Sequence, residues 1–380
     1  MMTLLLNSEI QITLRRAFNK TGAVLVMVTG LLGCTSDNIE LSSHNTISTQ
    51  GCEISPMTAP FTVQQLRETG GRAFWSPTGN ELAFMENGQA YIKNIETSKE
   101  RCLTCAFDTQ GFERVQFLGD GSLILIGPRN SAEALIEDNI DIVGRLAGAE
   151  IYWMPADASI APKSLGIQTF EGVAMAPNNN QIAWTWIGNP TSITEPQNAY
   201  VLYTATVSVN NKSASLIEQK SVISRFEIFE AQDILDNGET ILFTSYYSLQ
   251  RRFFPVDNPD GEVMTVNVIS GEVTNHTSNS AYDEAEGVFH GTDIDVIESG
   301  RDTGEGFGGQ LDLYLLRLNG KGDSLRRLTF FSDTEGEKAN NPDVNPNGRQ
   351  IAFSKGLLVD DASEATAEDA GLFLLDFQCR

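Results

Sequence analysis

Four glutamates, Glu113, Glu171, Glu230 and Glu286, recur at or near one place relative to a tight-turn residue, about eight positions ahead of it in the regular copies. Convergent carboxylates without nitrogen or sulfur donors suit a hard cation such as Ca²⁺. The alternative is that each is solvated or paired with Arg72 and Arg114. A second set of reactive groups is the five cysteines, Cys34, Cys52, Cys102, Cys105 and Cys379. Cys102 and Cys105 have the C-x-x-C spacing that can lower a thiol pKa. No second pair accompanies them for zinc and no helix pattern follows them, so a local structural disulfide or a free pair is expected. The three histidines, His44, His276 and His290, share no metal-binding spacing. The chain has no G-x-S-x-G, no H-E-x-x-H and no phosphate-binding loop, and no catalysis is expected.

The glutamates owe their common phase to a nine-residue pattern that ends in an apolar pair and a large side chain. SPTGNELAF (76–84), LGDGSLILI (118–126), APNNNQIAW (176–184), LDNGETILF (235–243), a shortened FHGTDIDV (289–296) and NPNGRQIAF (345–353) each read as a tight turn feeding a strand. The turn residues are Gly79, Gly121, Asn179, Gly238, Gly291 and Gly348. A short apolar strand precedes each turn, a third alternating strand follows, as in AYIKNI (90–95) and DLYLLRL (312–318), and a weaker fourth shows as RCLTC (101–105) and RRLTF (326–330). Four antiparallel strands repeated six times predict an all-β fold, a six-bladed β-propeller.

WSPTGNELAF, VNPNGRQIAF and DLYLLRLNGKGDSLRRLT resemble the TolB-type, WD-repeat-like propeller repeat over roughly residues 60–378. The space between 35 and 60 is too short for the α/β domain that precedes the propeller in TolB itself. The last blade lacks a fourth strand of its own, and FTVQQLRETGG (61–71) has the character of that strand. Pairing it with GLFLLDF (371–377) would close the ring and bring the segment ahead of Phe61 near Cys379. A Cys52–Cys379 disulfide is then expected, closing a very long loop and contributing about 4–5 kcal/mol in the chain-entropy view.

At the N-terminus, Arg15, Arg16 and Lys20 precede an apolar run ending in Leu31-Leu32-Gly33-Cys34, which is too short to span a bilayer. The LLGC ending resembles the lipobox of bacterial lipoproteins, which implies lipidation of Cys34; RRAFNK also resembles a twin-arginine export motif. The expected organisation is a signal peptide over 1–33, a Ser/Thr/Asn-rich tether over 34–58 and a propeller over 59–380, held at the outer membrane through lipid alone. Without residues 1–33 the chain keeps 49 acidic and 23 basic side chains, a formal net of −26. That charge argues against nucleic acid or anionic headgroups as partners.

Length varies mainly between second and third strands, at 127–149, 187–199, 246–261, 301–310 and 354–370. In a propeller those connections share one face, and repeat insertions often mark the binding face. Tyr246, Tyr247, Arg251, Arg252, Phe253 and Phe254 form an aromatic and basic cluster of the kind enriched in interface hot spots. The function expected is a lipid-anchored binding or scaffold module for an envelope protein or glycan. The alternative is a Ca²⁺-dependent propeller hydrolase or lactonase with an axial carboxylate site.

Overall fold

The structure is a computed structural model; it describes residues 47–49, 52–109, 111–129, 148–187, 200–225, 228–246, 261–279, 281–306, 309–358 and 367–378. Six four-stranded antiparallel sheets carry the chain. Their innermost strands are Gly71–Trp75, Arg114–Phe117, Val173–Met175, Ile228–Ile234, Asp283–Val288 and Glu337–Val344, in blades 1 to 6. Within blades 1 to 5 strand order follows the chain from the axis outward. This is the six-bladed propeller that the repeat predicts.

The repeat turns at Gly79, Gly121, Gly238 and Gly348 close in the same way. The amide of Gly79 donates to Ser76 O at 2.8 Å and that of Gly348 to Asn345 O at 2.7 Å; the carbonyls of Glu81 and Gln350 then accept from Ser76 N and Asn345 N. Gly79 and Gly348 sit at φ +71° and +68°, the left-handed region that costs glycine little. The strand that follows buries its apolar pair and large residue completely, as at Leu82, Ala83 and Phe84 or Ile351, Ala352 and Phe353. The large residues stack on the third strand, Phe84 on Tyr91, Trp184 on Tyr203 and Phe353 on Phe373. Such pairs add about 0.5–1.5 kcal/mol beyond their burial.

The ring closes end to end. Phe61–Arg67 is the outermost strand of blade 6 and pairs antiparallel with Ala367–Phe377, placing Phe61 opposite Phe377. The two rings meet edge to face at 6.0 Å. Cys379 and the side chain of Cys52 lie outside the described residues, so the expected bridge between them does too. Cys102 and Cys105 are joined as a disulfide.

The expectation of a free tether up to residue 58 needs correction at its C-terminal end. Ile47–Thr49 and Cys52–Ile54 form a two-stranded sheet. Ile54 and Ala59 are buried in one apolar cluster with Phe289, Leu315 and Phe377. Burying apolar side chains there outweighs the entropy of a loose linker. Residues 1–46 lie outside the described residues, and the signal peptide, Cys34 and most of the tether with them.

Candidate functional site

Inner strands begin on the face from which the insertions leave. Arg114 pairs with Ile126, Ile228 with Tyr246, Asp283 with Ser299 and Glu337 with Leu357, so each strand start lies beside the end of its blade's second strand. The axial mouth on this face holds a cluster of buried charge, Arg114, Glu171, Glu230 and Glu298. Arg114, from blade 2, places Nη2 3.0 Å from Glu171 Oε1 and 3.1 Å from Glu230 Oε1. Arg72 adds a contact to Glu171 at 3.6 Å. Gly172 occupies the corresponding point on blade 3, and a Cβ there would lie 2.7 Å from Glu230 Oε1 and 3.1 Å from Arg114 Nη1. Glycine therefore makes the space in which the ion pair crosses blade 3.

Two tyrosines extend this network to blade 5. Tyr246 Oη lies 3.1 Å from Glu230 Oε2 and 2.5 Å from Glu284 Oε1, while Tyr282 Oη donates to the other oxygen of Glu284. Burial, then the charge of Glu171, pushes Glu230 up to about 8 despite Arg114. Burial and then Glu298 push Glu284 up to about 7. Glu286 is raised well above the usual carboxylate range by burial and by Glu298 and Glu284. The mouth thus holds more carboxylate than its two arginines neutralise, and it shares protons at neutral pH.

The sequence-predicted glutamates divide into three environments. Glu171 and Glu230 come together on Arg114, the pairing that was the alternative to a cation site. Glu286 instead joins Glu284 and Glu298, whose ligand oxygens lie within 4.8 Å of one another. Glu113 lines an open cavity of about 500 Å³ beside the mouth, with Arg72, Glu86, Asn87 and Phe112. Glu286 sits five positions ahead of Gly291, and the eighth position is Asp283. The register slips alike in blade 4, between Ala231 and Asp233, and in blade 5, between Ala285 and Gly287, so Glu284 holds the place of Glu230 and Glu286 is the bulge residue, matching Gln232. Bulges re-aim side chains next to functional sites, and nothing in the repeat spacing reports them. Glu284 lies eight positions ahead of Thr292, whose amide closes the blade 5 turn in place of Gly291, and Glu298 lies on the second strand, outside the repeat position that was counted.

Tyr246 requires a correction. It was expected on an exposed binding face, but only 2% of its surface is accessible and its hydroxyl belongs to the axial network. A tyrosine ending the second strand turns toward the axis, where burying the ring is compatible with a polar tip. Tyr247, Arg251, Arg252, Phe253 and Phe254 lie outside the described residues. The two described histidines stand apart from the mouth. His276, just after the outermost strand of blade 4, contacts Thr265 Oγ1 at 2.9 Å through Nε2 and accepts from Gly320 N at 3.1 Å through Nδ1; burial lowers its pKa to about 4. His290 Nδ1 lies 3.1 Å from Asp236 Oδ1 on the turn face.

No family model matches the chain, and no curated protein matches it. Among solved structures, a luciferin-regenerating enzyme superposes with a TM-score of 0.51 at 10% identity, covering 83% of this chain and 95% of that one. TolB from Acinetobacter baumannii gives 0.44 at 10% identity, over 82% of this chain and 64% of its own. An acylaminoacyl peptidase from Pyrococcus horikoshii gives 0.44 at 12% identity over 81% of this chain, which spans only 44% of that enzyme's length. At such identities the likeness is one of fold, and fold alone assigns no chemistry.

Proposed function

We propose that this chain is an exported, lipid-anchored binding module of the bacterial cell envelope, engaging a protein or glycan on the face that carries the insertions. The anchor rests on the Cys34 sequence and the tether that follows it. The binding reading rests on one observation: at the mouth the polar groups are committed to one another, Arg114 to Glu171 and Glu230 and the two tyrosines to Glu230 and Glu284. Among the described residues no histidine stands beside a serine or cysteine there to activate a nucleophile. The open cavity beside this network, with Arg72, Glu86, Asn87 and Phe112 on its walls, offers the mixture of charge, amide and aromatic surface that polar partners use. Affinity capture from solubilised membranes, comparing the wild-type chain with the quadruple alanine variant at Arg251, Arg252, Phe253 and Phe254, tests the reading. Partners recovered equally by both would reject that loop as the contact.

A second reading has its own support. The oxygens of Glu284, Glu286 and Glu298 lie close enough together to share a cation. Asn340, which takes the place of Glu171 and Glu230 in blade 6, is over nine-tenths buried and its amide oxygen has no hydrogen-bond partner. The three carboxylates are hard oxygen donors, the kind that fits Ca²⁺ with water completing its shell. A bound dication would supply charge neutralisation among these carboxylates. Thermal melting of the chelator-treated protein with added Ca²⁺ reads this directly, and an unchanged midpoint at millimolar Ca²⁺ would remove it.

A further inference from the structure

The opposite end of the channel, on the face of the repeat turns, has a different character. A cavity of about 90 Å³ opens there, room for about three waters' worth of atoms. Asp233 in blade 4 and Asp343 in blade 6 place carboxylates at the level of Gly287 in blade 5, where a Cβ would lie 4.0 Å from an oxygen of each, and Glu286 also lines the cavity. The other three blades supply Phe74, Gln116 and Ala174 at that level. One side of the cavity is therefore acidic and the other neutral or apolar.

Asp343 and Asp233 are held by the neighbouring blade. Asp343 Oδ2 accepts from Trp75 N at 2.6 Å, and Asp233 Oδ2 accepts from Val288 N at 2.9 Å. Each bond fixes a carboxylate across a blade seam and leaves lone pairs for a further donor. His290 is the basic residue on the cavity wall, and its Nδ1 is engaged by Asp236. Burial holds Asp343 up at about 7 and Asp233 at about 6, the behaviour of carboxyls short of positive charge.

Two further groups point to what is missing. Gln116 and Trp75 both line this cavity. Each is more than nine-tenths buried, and neither the amide oxygen of Gln116 nor the indole N–H of Trp75 has a hydrogen-bond partner. Leaving such a group unpaired costs about 1–3 kcal/mol. A ligand that pairs all of these groups brings positive charge, donors for the carboxylates and for Gln116, and an acceptor for Trp75. A metal ion has no acceptor to offer the indole, and a lysine tip has donors only. A polypeptide N-terminus has three ammonium N–H donors and, two carbons on, the carbonyl of its first residue.

We propose that the turn-face cavity binds the free N-terminus of a polypeptide beginning with a small residue. Asp233, Asp343 and the Gln116 carbonyl receive the ammonium, and the Trp75 indole donates to the first carbonyl. Val288 and Val344 pack the first side chain, and the size of the cavity excludes a large one. This site lies at the other end of the axis from the partner-binding face, so either proposal can fail without the other.

Calorimetric titration of the full-length protein at pH 8 tests it with three probes: trialanine amide, its N-acetylated form and Nα-acetyl-lysine amide. Trialanine amide is expected to bind at least about tenfold more tightly than either of the others. Gln116→Leu breaks no hydrogen bond accepted by the Gln116 carbonyl and nearly conserves volume, and it is expected to weaken trialanine amide by about tenfold with an unchanged melting temperature. Asp233→Asn should weaken it as well. Equal binding of the free and acetylated peptides, no heat from trialanine amide at about 10 mM, or full affinity in Gln116→Leu would overturn the proposal. A lysine amide that binds as well as trialanine amide would overturn the assignment to an N-terminus.

Discussion

Arg114 of blade 2 reaches Glu230 of blade 4 at 3.1 Å, passing over the backbone of blade 3 at Gly172. The pair is a feature of the ring and not of any one repeat, because three blades must be in register before it forms. Both side chains are almost wholly buried. Removing one partner of such a pair strands the other charge, which costs about 3–5 kcal/mol.

Gly172→Ala is accordingly expected to destabilise the protein although its backbone angle suits alanine. The new methyl would lie 2.7 Å from Glu230 Oε1, and overpacking of this kind costs about 1–3 kcal/mol. Arg114→Leu should cost more, and Arg114→Leu combined with Glu230→Gln should recover part of the loss. Urea unfolding of the three variants measures this. A wild-type midpoint for Gly172→Ala would mean that the ion pair does not cross at that point.

Stability should depend on pH in a defined direction. Glu230 and Glu284 have folded pKa values near 8 and 7, above the ordinary 4.5, so the folded protein holds their protons more tightly than the unfolded chain does. The stability from that difference is complete below about pH 4.5 and is lost as pH rises through 7 to 8. The melting temperature is expected to fall between pH 6 and 8.5, with Asp233 and Asp343 titrating in the same direction on the turn face. Glu284→Gln, which leaves the Arg114–Glu230 pair in place, should flatten the profile and raise the midpoint at pH 8. A midpoint that rises with pH would contradict the buried-carboxylate description.

Ring closure makes a third expectation. Phe377 is fully buried and packs on Phe61 and Phe289, at 6.0 and 5.9 Å between ring centres. Phe377→Ala should cost about 3–5 kcal/mol and open the Phe61–Arg67 strand to proteolysis first. Peptide mapping of the unreduced protein should recover Cys102 joined to Cys105, and Cys52 joined to Cys379. A free Cys52 thiol would show that strand pairing alone closes the ring.

The architecture was legible in the sequence because the turn chemistry and the strand period repeat together. Gly79, Gly121, Gly238, Gly291 and Gly348 all adopt the left-handed backbone that their turns need. Even the small LT signature has a physical basis: Thr104 and Thr329 each accept a third-strand amide, from Ala90 and Leu313. The axial site was legible only in part. Glu171 and Glu230 follow the repeat phase and are found together, whereas in blade 5 that place belongs to Glu284, eight positions ahead of the closing turn residue Thr292, and Glu286 is the extra residue of a bulge. Tyr246 shows the complementary limit, since an aromatic at the edge of an insertion looks the same in sequence whether it faces solvent or the axis.

The claim that the insertion face is where a partner binds is tested most directly by photo-crosslinking in intact cells. A photoreactive residue at Tyr247, in the insertion of blade 4, is compared with one at Ile217, which is exposed on the outermost strand of blade 3. A discrete crosslinked envelope protein or glycan from position 247, absent from 217 and lost in the Arg251, Arg252, Phe253 and Phe254 quadruple alanine variant, is the expected result. The same products from both positions, or none from 247, would contradict it.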